Sequence, residues 1–274
     1  MRMSIFYDHL RKAAVQRGIP LEQQLADAKD LGYELVEMDF ADLQAEPAIY
    51  DRLQAAGIGV SSIYCFFDFG KAPQQDMRRA LVAEALRVGS KKIMPIPGFY
   101  SSTKQEIREG ERERMLLAMW ALVAEATSAG LTVTIEDYDD EPSPIRDSEG
   151  MRWFLERLPD LRVTYDTGNF RYSGEEEMHA FDALSDKIVH VHLKDRAPVP
   201  LMGERPKTAM DGSKLYPCPI GGGSIPMARI FARLKEIGYD GVLTVEHFDS
   251  ADYWANMQAS AAFVKQYFQE EMKR

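Results

Sequence analysis

The sequence predicts a single-domain (β/α)8 barrel that covers residues 1–274. First, short apolar runs rich in β-branched residues alternate eight times with segments of helical periodicity, which indicates parallel strands joined by helical crossovers. Second, glycines directly follow several of the helical segments, where a left-handed residue commonly ends a helix. Third, the last four apolar runs end in Glu, Asp, His and Glu, on the side where barrel enzymes carry their active sites.

Each element in the first half of the chain has a local signal. The segment 20–31 is amphipathic, with Leu21, Leu25 and Leu31 on one stripe. The third strand runs into an aromatic cluster that begins at Tyr64. The predicted strands of this half are 3–7, 33–40, 58–66 and 91–96, and its predicted helices are 20–31, 47–56, 74–88 and 106–129.

The alternation continues through the second half. The helix 175–184 begins with acidic residues, which complement the positive end of the helix dipole. The segment 197–223 is rich in Pro and Gly, and loops of this length are usually functional or mobile. The predicted strands here are 131–136, 161–166, 187–196 and 242–246, and the predicted helices are 147–158, 175–184, 225–237 and 253–268.

A doubly wound sheet is the alternative fold. It usually carries a glycine-rich phosphate loop early, and neither common form of that loop follows the first strand here. The glycine run 221–223 precedes a helix and is a weak signal for an anion site, and a flexible turn explains it equally well. We therefore favour the barrel.

Composition narrows the function. The chain has 43 acidic and 33 basic residues and a net charge of -10, which argues against nucleic-acid binding because that affinity comes from cations on phosphates. No apolar run is long enough to suggest a membrane span, and residues 1–8 lack the apolar core of a signal peptide. Two cysteines without a C-x-x-C motif make no disulfide framework. We expect a cytoplasmic protein.

The stretch 187–196 reads K-I-V-H-V-H-L-K-D-R and places two histidines in a buried strand. Polar groups this dense are costly in a core unless they are paired. His190 and His192 share one side of the strand, with His190 deeper in the barrel, so we interpret His190 as a core or supporting residue. The strand ends thus offer four ligand-type side chains: Glu136, Asp166, His192 and Glu246.

These motifs resemble the xylose isomerase-like TIM barrels, the sugar phosphate isomerase/epimerase superfamily. Its members include ketose 3-epimerases, hydroxypyruvate isomerases, dehydratases and endonuclease IV. The resemblance covers nearly the whole chain. It is carried by Ile135-Glu136, Asp166-Thr-Gly-Asn169, His190-Val-His-Leu-Lys-Asp195 and the last unit, which spans 219–246. Endonuclease IV activity does not fit, because that enzyme uses a histidine-rich zinc cluster and this chain has 5 His and an acidic charge.

The resemblance implies one divalent metal ion held by Glu136, Asp166, His192 and Glu246. Three carboxylates and an imidazole favour Mn²⁺, with Mg²⁺, Co²⁺ or Zn²⁺ as alternatives. It also implies that Glu136 and Glu246 are the catalytic acid and base. Many members carry His three residues after the strand-six Asp, whereas this chain has Asn169, a departure that the superfamily tolerates but that argues against a close match to the ketose 3-epimerases.

Further residues near the strand ends are candidates for substrate binding. Lys194 could polarise a substrate oxygen or bind a carboxylate, and a salt bridge to Asp195 or Glu246 is the equal alternative. Charged residues on the long loop could instead be solvated, and barrel-mouth aromatics could instead be packing. The candidates are Lys194, Asn169, Glu37, Tyr7, His9, Tyr64, Phe66 and Arg196, with Arg205 as a further cation on the loop.

The combined expectation is a divalent-metal-dependent isomerase or epimerase of a small sugar or polyol-derived ketone, with proton transfer through a metal-bound enediolate. One alternative is a metal-dependent dehydratase that acts on an inosose or on 3-dehydroshikimate. Another is a barrel that binds a sugar or metabolite without turnover. The expected partner is a small molecule, with no nucleic acid and no membrane, and homo-oligomers are common in the family.

Overall fold

The computed structural model describes residues 1–271, with side chains described through residue 268, and within that range eight parallel strands close into a barrel. Neighbours around the barrel follow the order β1, β11, β7, β6, β5, β4, β3, β2. The barrel strands are β1 Arg2–Phe6, β2 Tyr33–Asp39, β3 Gly59–Phe66, β4 Lys92–Ile96, β5 Thr132–Ile135, β6 Arg162–Asp166, β7 Ile188–Leu193 and β11 Val242–Val245.

Helices surround the barrel and cover its apolar strands, as a parallel sheet requires. They are α1 Tyr7–Arg17, α2 Leu21–Asp30, α3 Phe40–Ala45, α4 Ile49–Ala55, α5 Gln75–Arg87, α6 Gln105–Ser128, α7 Ser148–Leu155, α8 Phe170–Ser173, α9 Glu177–Leu184, α10 Met227–Glu236 and α11 Tyr253–Glu271. Strand residues such as Ile5, Val36 and Ile63 are fully buried between the helices and the barrel interior. Among residues 1–271, none of the helices combines the length and apolar character that crossing a bilayer requires.

The predicted barrel is confirmed, and the differences lie at the ends of its elements. Tyr7 was expected in the first strand but begins α1, a helix that the sequence did not indicate, and Gly18 ends that helix at φ 65°. Phe40, expected in the second strand, begins α3 because the Asp39 carboxylate accepts a hydrogen bond from the Ala41 N–H and caps the helix.

The segment 197–223 is more ordered than the predicted loop. Three short strands, β8 Asp195–Ala197, β9 Lys207–Thr208 and β10 Lys214–Cys218, form a small antiparallel sheet in the order β8, β10, β9. Only Lys194 separates β8 from barrel strand β7. The small sheet therefore grows directly out of the barrel wall at its C-terminal mouth.

Asp195 fixes this sheet to the barrel. Its buried carboxylate accepts backbone N–H bonds from Arg196 at 2.8 Å, Gly221 at 2.9 Å, Gly223 at 3.1 Å and Ile225 at 3.1 Å. A Cβ atom at position 223 would lie 2.2 Å from Asp195 Oδ1, so the position requires glycine. The glycine run that was a weak signal for an anion site instead binds the protein's own carboxylate.

Candidate active site

A cavity of about 350 Å³ opens at the C-terminal mouth of the barrel. We call it the mouth cavity. Side chains from the strand ends form its floor, and the small sheet forms one of its walls. It is lined by Phe6, Asp39, Tyr64, Phe66, Met94, Ile96, Glu136, Tyr138, Asp139, Asn169, Lys194, Arg196, Arg205, Lys207, Pro217, Glu246, Phe248 and Asp249.

Four ligand-type side chains converge beneath this cavity. Each of Glu136, Asp166, His192 and Glu246 offers one oxygen or nitrogen, and these four atoms all lie within 4.8 Å of one another. Strand order explains the convergence, because β5, β6, β7 and β11 are consecutive around the barrel. The register pairs Asp166 with His192, and the Glu246 N–H donates to the Leu193 carbonyl at 2.8 Å.

His192 is held between carboxylates on both sides of its ring. Its Nδ1 lies 2.5 Å from Glu136 Oε1 and 3.3 Å from Glu246 Oε2, and its Nε2 lies 2.9 Å from Glu37 Oε2. Glu37 thus orients the imidazole so that Nδ1 faces the cluster, which is the arrangement in which a second carboxylate supports a ligand histidine.

A second group of side chains also has the composition of a metal site. Glu37, His190 and His192 offer atoms within 4.8 Å of one another. Glu37 Oε2 is bonded to both imidazoles at 2.9 Å, and His190 also contacts the Thr244 hydroxyl at 3.0 Å. Glu37 and His190 do not line the mouth cavity. Glu37 contacts Nε2 of His192, whereas Glu136 and Glu246, which line the cavity, contact Nδ1. We interpret this group as a hydrogen-bonded support beneath the four-residue cluster.

The Lys194 ammonium lies at the edge of the cluster. Its Nζ is 2.6 Å from Asn169 Oδ1 and 3.4 Å from Asp166 Oδ2, and it also pairs with Glu246. Burial alone would lower the pKa of Lys194, but the carboxylates of Asp166 and Glu246 outweigh it and raise the pKa. Metal ligands must be deprotonated, and in that form the three carboxylates, the neutral His192 and this one ammonium carry a net charge of minus two, which a divalent cation would balance.

The two glutamates of the cluster differ in acidity. Burial, together with the nearby carboxylates of Glu246 and Asp166, raises the pKa of Glu136 to about 8 despite its contact with His192. Burial would also raise the pKa of Glu246, but the Lys194 ammonium outweighs it and lowers this pKa. Without a bound ion, the two carboxyl groups therefore ionise at different pH values.

Five of the eight substrate-binding candidates line the mouth cavity: Lys194, Asn169, Tyr64, Phe66 and Arg196. The other three do not. Glu37 is fully buried, and its carboxylate contacts His190 and His192 instead of the cavity. For the five candidates that line the cavity, a role in substrate binding stays a prediction.

Tyr7 and His9 are the remaining two, and they lie on α1 rather than at a strand end. Both are buried, at 2% and 0% exposure. His9 Nε2 accepts the His247 N–H at 3.0 Å, and the two imidazoles stack with centroids 4.7 Å apart. These contacts pack α1 against the end of β11. They agree with the alternative that aromatic residues at the barrel mouth serve packing instead of substrate binding.

The sequence did not single out several residues of the cavity. Phe6 ends β1, Phe248 follows β11, and Tyr138 and Asp139 belong to the acidic loop after β5. Lys207 lies on β9, within the segment expected to be a loop. Position at a strand end was an available signal for Phe6, whereas the loop residues reach the cavity only through the fold of their loops.

Comparison with known proteins places the chain in a family. A family model described as xylose isomerase-like TIM barrel matches residues 25–267. The chain belongs to the xylose isomerase-like TIM barrel family. Among curated proteins, no sequence matches this chain.

Solved structures in this family share the fold at low sequence identity. The probable 3-DHS dehydratase AsbF of Bacillus anthracis is 16% identical, with 97% of this chain and 99% of that chain covered and a TM-score of 0.75. The IOLI protein with a bound zinc atom is 16% identical, with 98% and 97% covered and a TM-score of 0.74. An L-ribulose 3-epimerase is 19% identical, with 99% and 96% covered and a TM-score of 0.72. At these identities the likeness concerns the fold.

Proposed function

We propose that this protein is a divalent-metal-dependent isomerase or epimerase of a small sugar or polyol-derived ketone. The observation that carries the proposal is the convergence of Glu136, Asp166, His192 and Glu246 beneath the mouth cavity, which Glu136 and Glu246 line. Family membership supports it, because the family's structures include a 3-epimerase and a protein with bound zinc.

The donor set fits a hard divalent cation. Three carboxylates and one imidazole suit Mn²⁺, with Mg²⁺, Co²⁺ and Zn²⁺ as alternatives. Asp166 Oδ2 is buried and has no hydrogen-bond partner in the structure, although its other oxygen accepts the Gly168 and Asn169 N–H groups at 2.7 Å each. Within the described part of the chain its only ion-pair partner is the Lys194 ammonium at 3.4 Å, so this oriented and buried oxygen keeps a lone pair that suits a metal ion.

The residues of the cluster have separate tasks in the proposed reaction. When bound, the ion would polarise the carbonyl and adjacent hydroxyl of a hydroxy-ketone, which acidifies the C–H between them. Glu246 and Glu136 approach His192 Nδ1 from β11 and β5 and both line the cavity. One carboxylate removes the proton from one face of the carbon, and the other returns a proton to the opposite face.

Lys194 and the aromatic residues position the substrate in this scheme. The ammonium stays protonated between Asp166 and Glu246 and directs an N–H at a substrate oxygen. Phe6, Tyr64 and Phe248 cover the apolar face of the substrate and keep water from the reacting carbon.

A dehydratase would use the same cluster for a different outcome. Its proton abstraction is the same, but a hydroxyl group on the neighbouring carbon then leaves as water. Lys194 favours this alternative as a second candidate, because its ammonium lies beside Glu246 and can assist a departing hydroxyl. The structural likeness to the probable dehydratase AsbF agrees with it.

Metal content and deuterium exchange test the proposal. The purified protein is loaded with Mn²⁺, Mg²⁺, Co²⁺ or Zn²⁺ and incubated with ketoses and ketocyclitols in D₂O. Deuterium in recovered substrate or epimer supports the isomerase, whereas an ultraviolet-absorbing enone identifies the dehydratase. Glu246→Gln should abolish exchange, while Glu34→Gln, an exposed surface glutamate on β2, should not. Ligand-induced thermal stabilisation without exchange from any ligand would identify a non-catalytic binding barrel.

A further inference from the structure

One wall of the mouth cavity is strongly cationic. The small sheet and the loop between β8 and β9 bring Arg196, Arg205 and Lys207 to the cavity lining. These three lie above the floor cluster and are distinct from Lys194. Two of them share a single counter-ion, because Asp139 Oδ2 pairs with Arg196 Nη2 at 3.1 Å and Asp139 Oδ1 pairs with Lys207 Nζ at 2.7 Å.

The cations keep unused hydrogen-bonding capacity. The Arg196 residue is 8% exposed, and its Nε is buried without a hydrogen-bond partner. Arg205 forms no ion pair or hydrogen bond within the described part of the chain. Arg196 and Arg205 both line the cavity with donors that the protein leaves unpaired, so this wall offers cationic donors to an acceptor in the cavity.

The carboxylates on the other sides of the cavity rim form no ion pair with this wall. Asp39 stands at the end of β2 and caps α3, and Asp249 follows β11, and neither forms an ion pair with the three cations. The wall formed by strands β1 and β3 is apolar and aromatic, with Phe6, Tyr64 and Phe66. The cavity therefore has an acidic floor, an apolar side and a cationic side.

We propose that the substrate carries an anionic group, a carboxylate or a phosphate, which binds Arg196, Arg205 and Lys207 while its hydroxy-ketone end meets the floor cluster. This inference rests on the proposed function for the identity of the reacting end. It narrows the substrate class from small sugars in general to acidic ones. Arg196 binds from the base of the wall, and the more exposed Arg205 and Lys207 bind from its rim. Guanidinium groups suit both anions, because their parallel N–H donors match two oxygens at once.

Three probes with one carbon skeleton test the proposal. D-fructose, D-fructuronate and D-fructose 6-phosphate differ only in the group at C6. It is a hydroxymethyl group in the first, a carboxylate in the second and a phosphorylated hydroxymethyl group in the third. Their dissociation constants are measured by titration calorimetry on the metal-loaded protein, with inorganic phosphate as a fourth ligand. An anionic probe should bind about tenfold more tightly than fructose, the order of magnitude expected for a charged hydrogen-bonded contact. The preference should weaken as salt rises from about 0.05 M to about 0.5 M.

Variants locate the effect at the cationic wall. The double variant Arg205→Gln/Lys207→Gln should reduce the preference for the anionic probe to about twofold or less, with fructose binding and metal content unchanged. Lys214→Gln is the matched control, because Lys214 lies on the same small sheet at an exposed position outside the cavity. It should leave all three dissociation constants unchanged.

The outcomes separate this inference from the proposed function. Tighter binding of the carboxylate probe assigns a sugar acid, and tighter binding of the phosphate probe assigns a sugar phosphate. Three results would overturn the inference. They are equal binding of fructose and both anions, an anion preference that survives the double variant, and no binding by any probe or by inorganic phosphate. Deuterium exchange with no anion preference would overturn it while the proposed function stands. Anion preference without metal or exchange would overturn the proposed function alone.

Discussion

Replacing Asp195 with alanine should destabilise the small sheet more than any surface change of similar size. The carboxylate accepts four backbone N–H bonds that tie β8 to the glycine turn. Hydrogen bonds to a charged group contribute about 1.5–3 kcal/mol each when measured singly. The sum overstates the loss, since freed N–H groups can reach water and burial raises the pKa of Asp195, which opposes its charged form. We expect a loss of about 3–4 kcal/mol in the free energy of unfolding.

Urea denaturation and limited proteolysis measure this loss. A loss of that size corresponds to a melting temperature about 5–7 °C lower, because the unfolding entropy of a domain of this length is about 0.6 kcal/mol/K. If only the sheet opens, the same energy appears as faster cleavage within 198–217, mapped by mass spectrometry. Asp195→Asn keeps one oxygen acceptor and should lose about half as much. Asp211→Asn, on the exposed turn of the same segment, is the control. Unchanged melting and unchanged cleavage in Asp195→Ala would refute the reasoning.

Three further predictions concern the floor of the cavity and the first helix. His192→Ala should lose the bound metal, about one ion per chain in the parent by plasma mass spectrometry, and full retention would contradict the four-residue cluster. Gly168→Ala should lower the free energy of unfolding by about 2–3 kcal/mol, because its Cβ would lie 2.7 Å from the buried Lys194 carbonyl oxygen, and an unchanged urea midpoint would contradict this contact. Burial alone would raise the pKa of Asp8, but hydrogen bonds from its neighbours, including Lys12, outweigh it and lower the pKa. Asp8→Asn should therefore cost about 0.5–1 kcal/mol at neutral pH, a difference that shrinks as pH falls below about 4, and a difference that grows on acidification would contradict the ion pair.

The barrel could be predicted from the sequence because its signals are local. A strand buried on both faces is recognisable in the sequence as a short run of β-branched residues. The crossover helices are recognisable by apolar residues spaced to form one stripe. The positions of Glu136, Asp166, His192 and Glu246 follow from the same argument, since parallel strands end on one side of the barrel. Their convergence was expected from strand order, and their binding of a metal stays a prediction.

Other features depend on contacts that no short stretch of sequence records. Glu37 contacts Nε2 of His192, a pairing between residues 155 apart in the chain, so strand position alone did not show that Glu37 supports the imidazole. The sheet of β8, β9 and β10 forms because residues 20 or so apart in the chain pair across a turn, and Asp195 binds the glycine turn only once that sheet exists. The sequence of α1 has little amphipathic pattern. Its first residue, Tyr7, was therefore predicted as the end of the preceding strand.

The position of the small sheet makes this segment of the chain exchangeable in protein engineering. Its first strand is covalently continuous with β7, one residue beyond the histidine strand, and its last strand leads back to Asp195 through the glycine turn. Both ends are therefore anchored at the same carboxylate, and the residues between them can be exchanged as a cassette. A chimera that replaces 198–217 with the corresponding segment of a relative would exchange Arg205 and Lys207 and leave Arg196 and the floor cluster in place. If the proposed function holds, such an exchange would change the preference for substrates without changing the residues of the reaction.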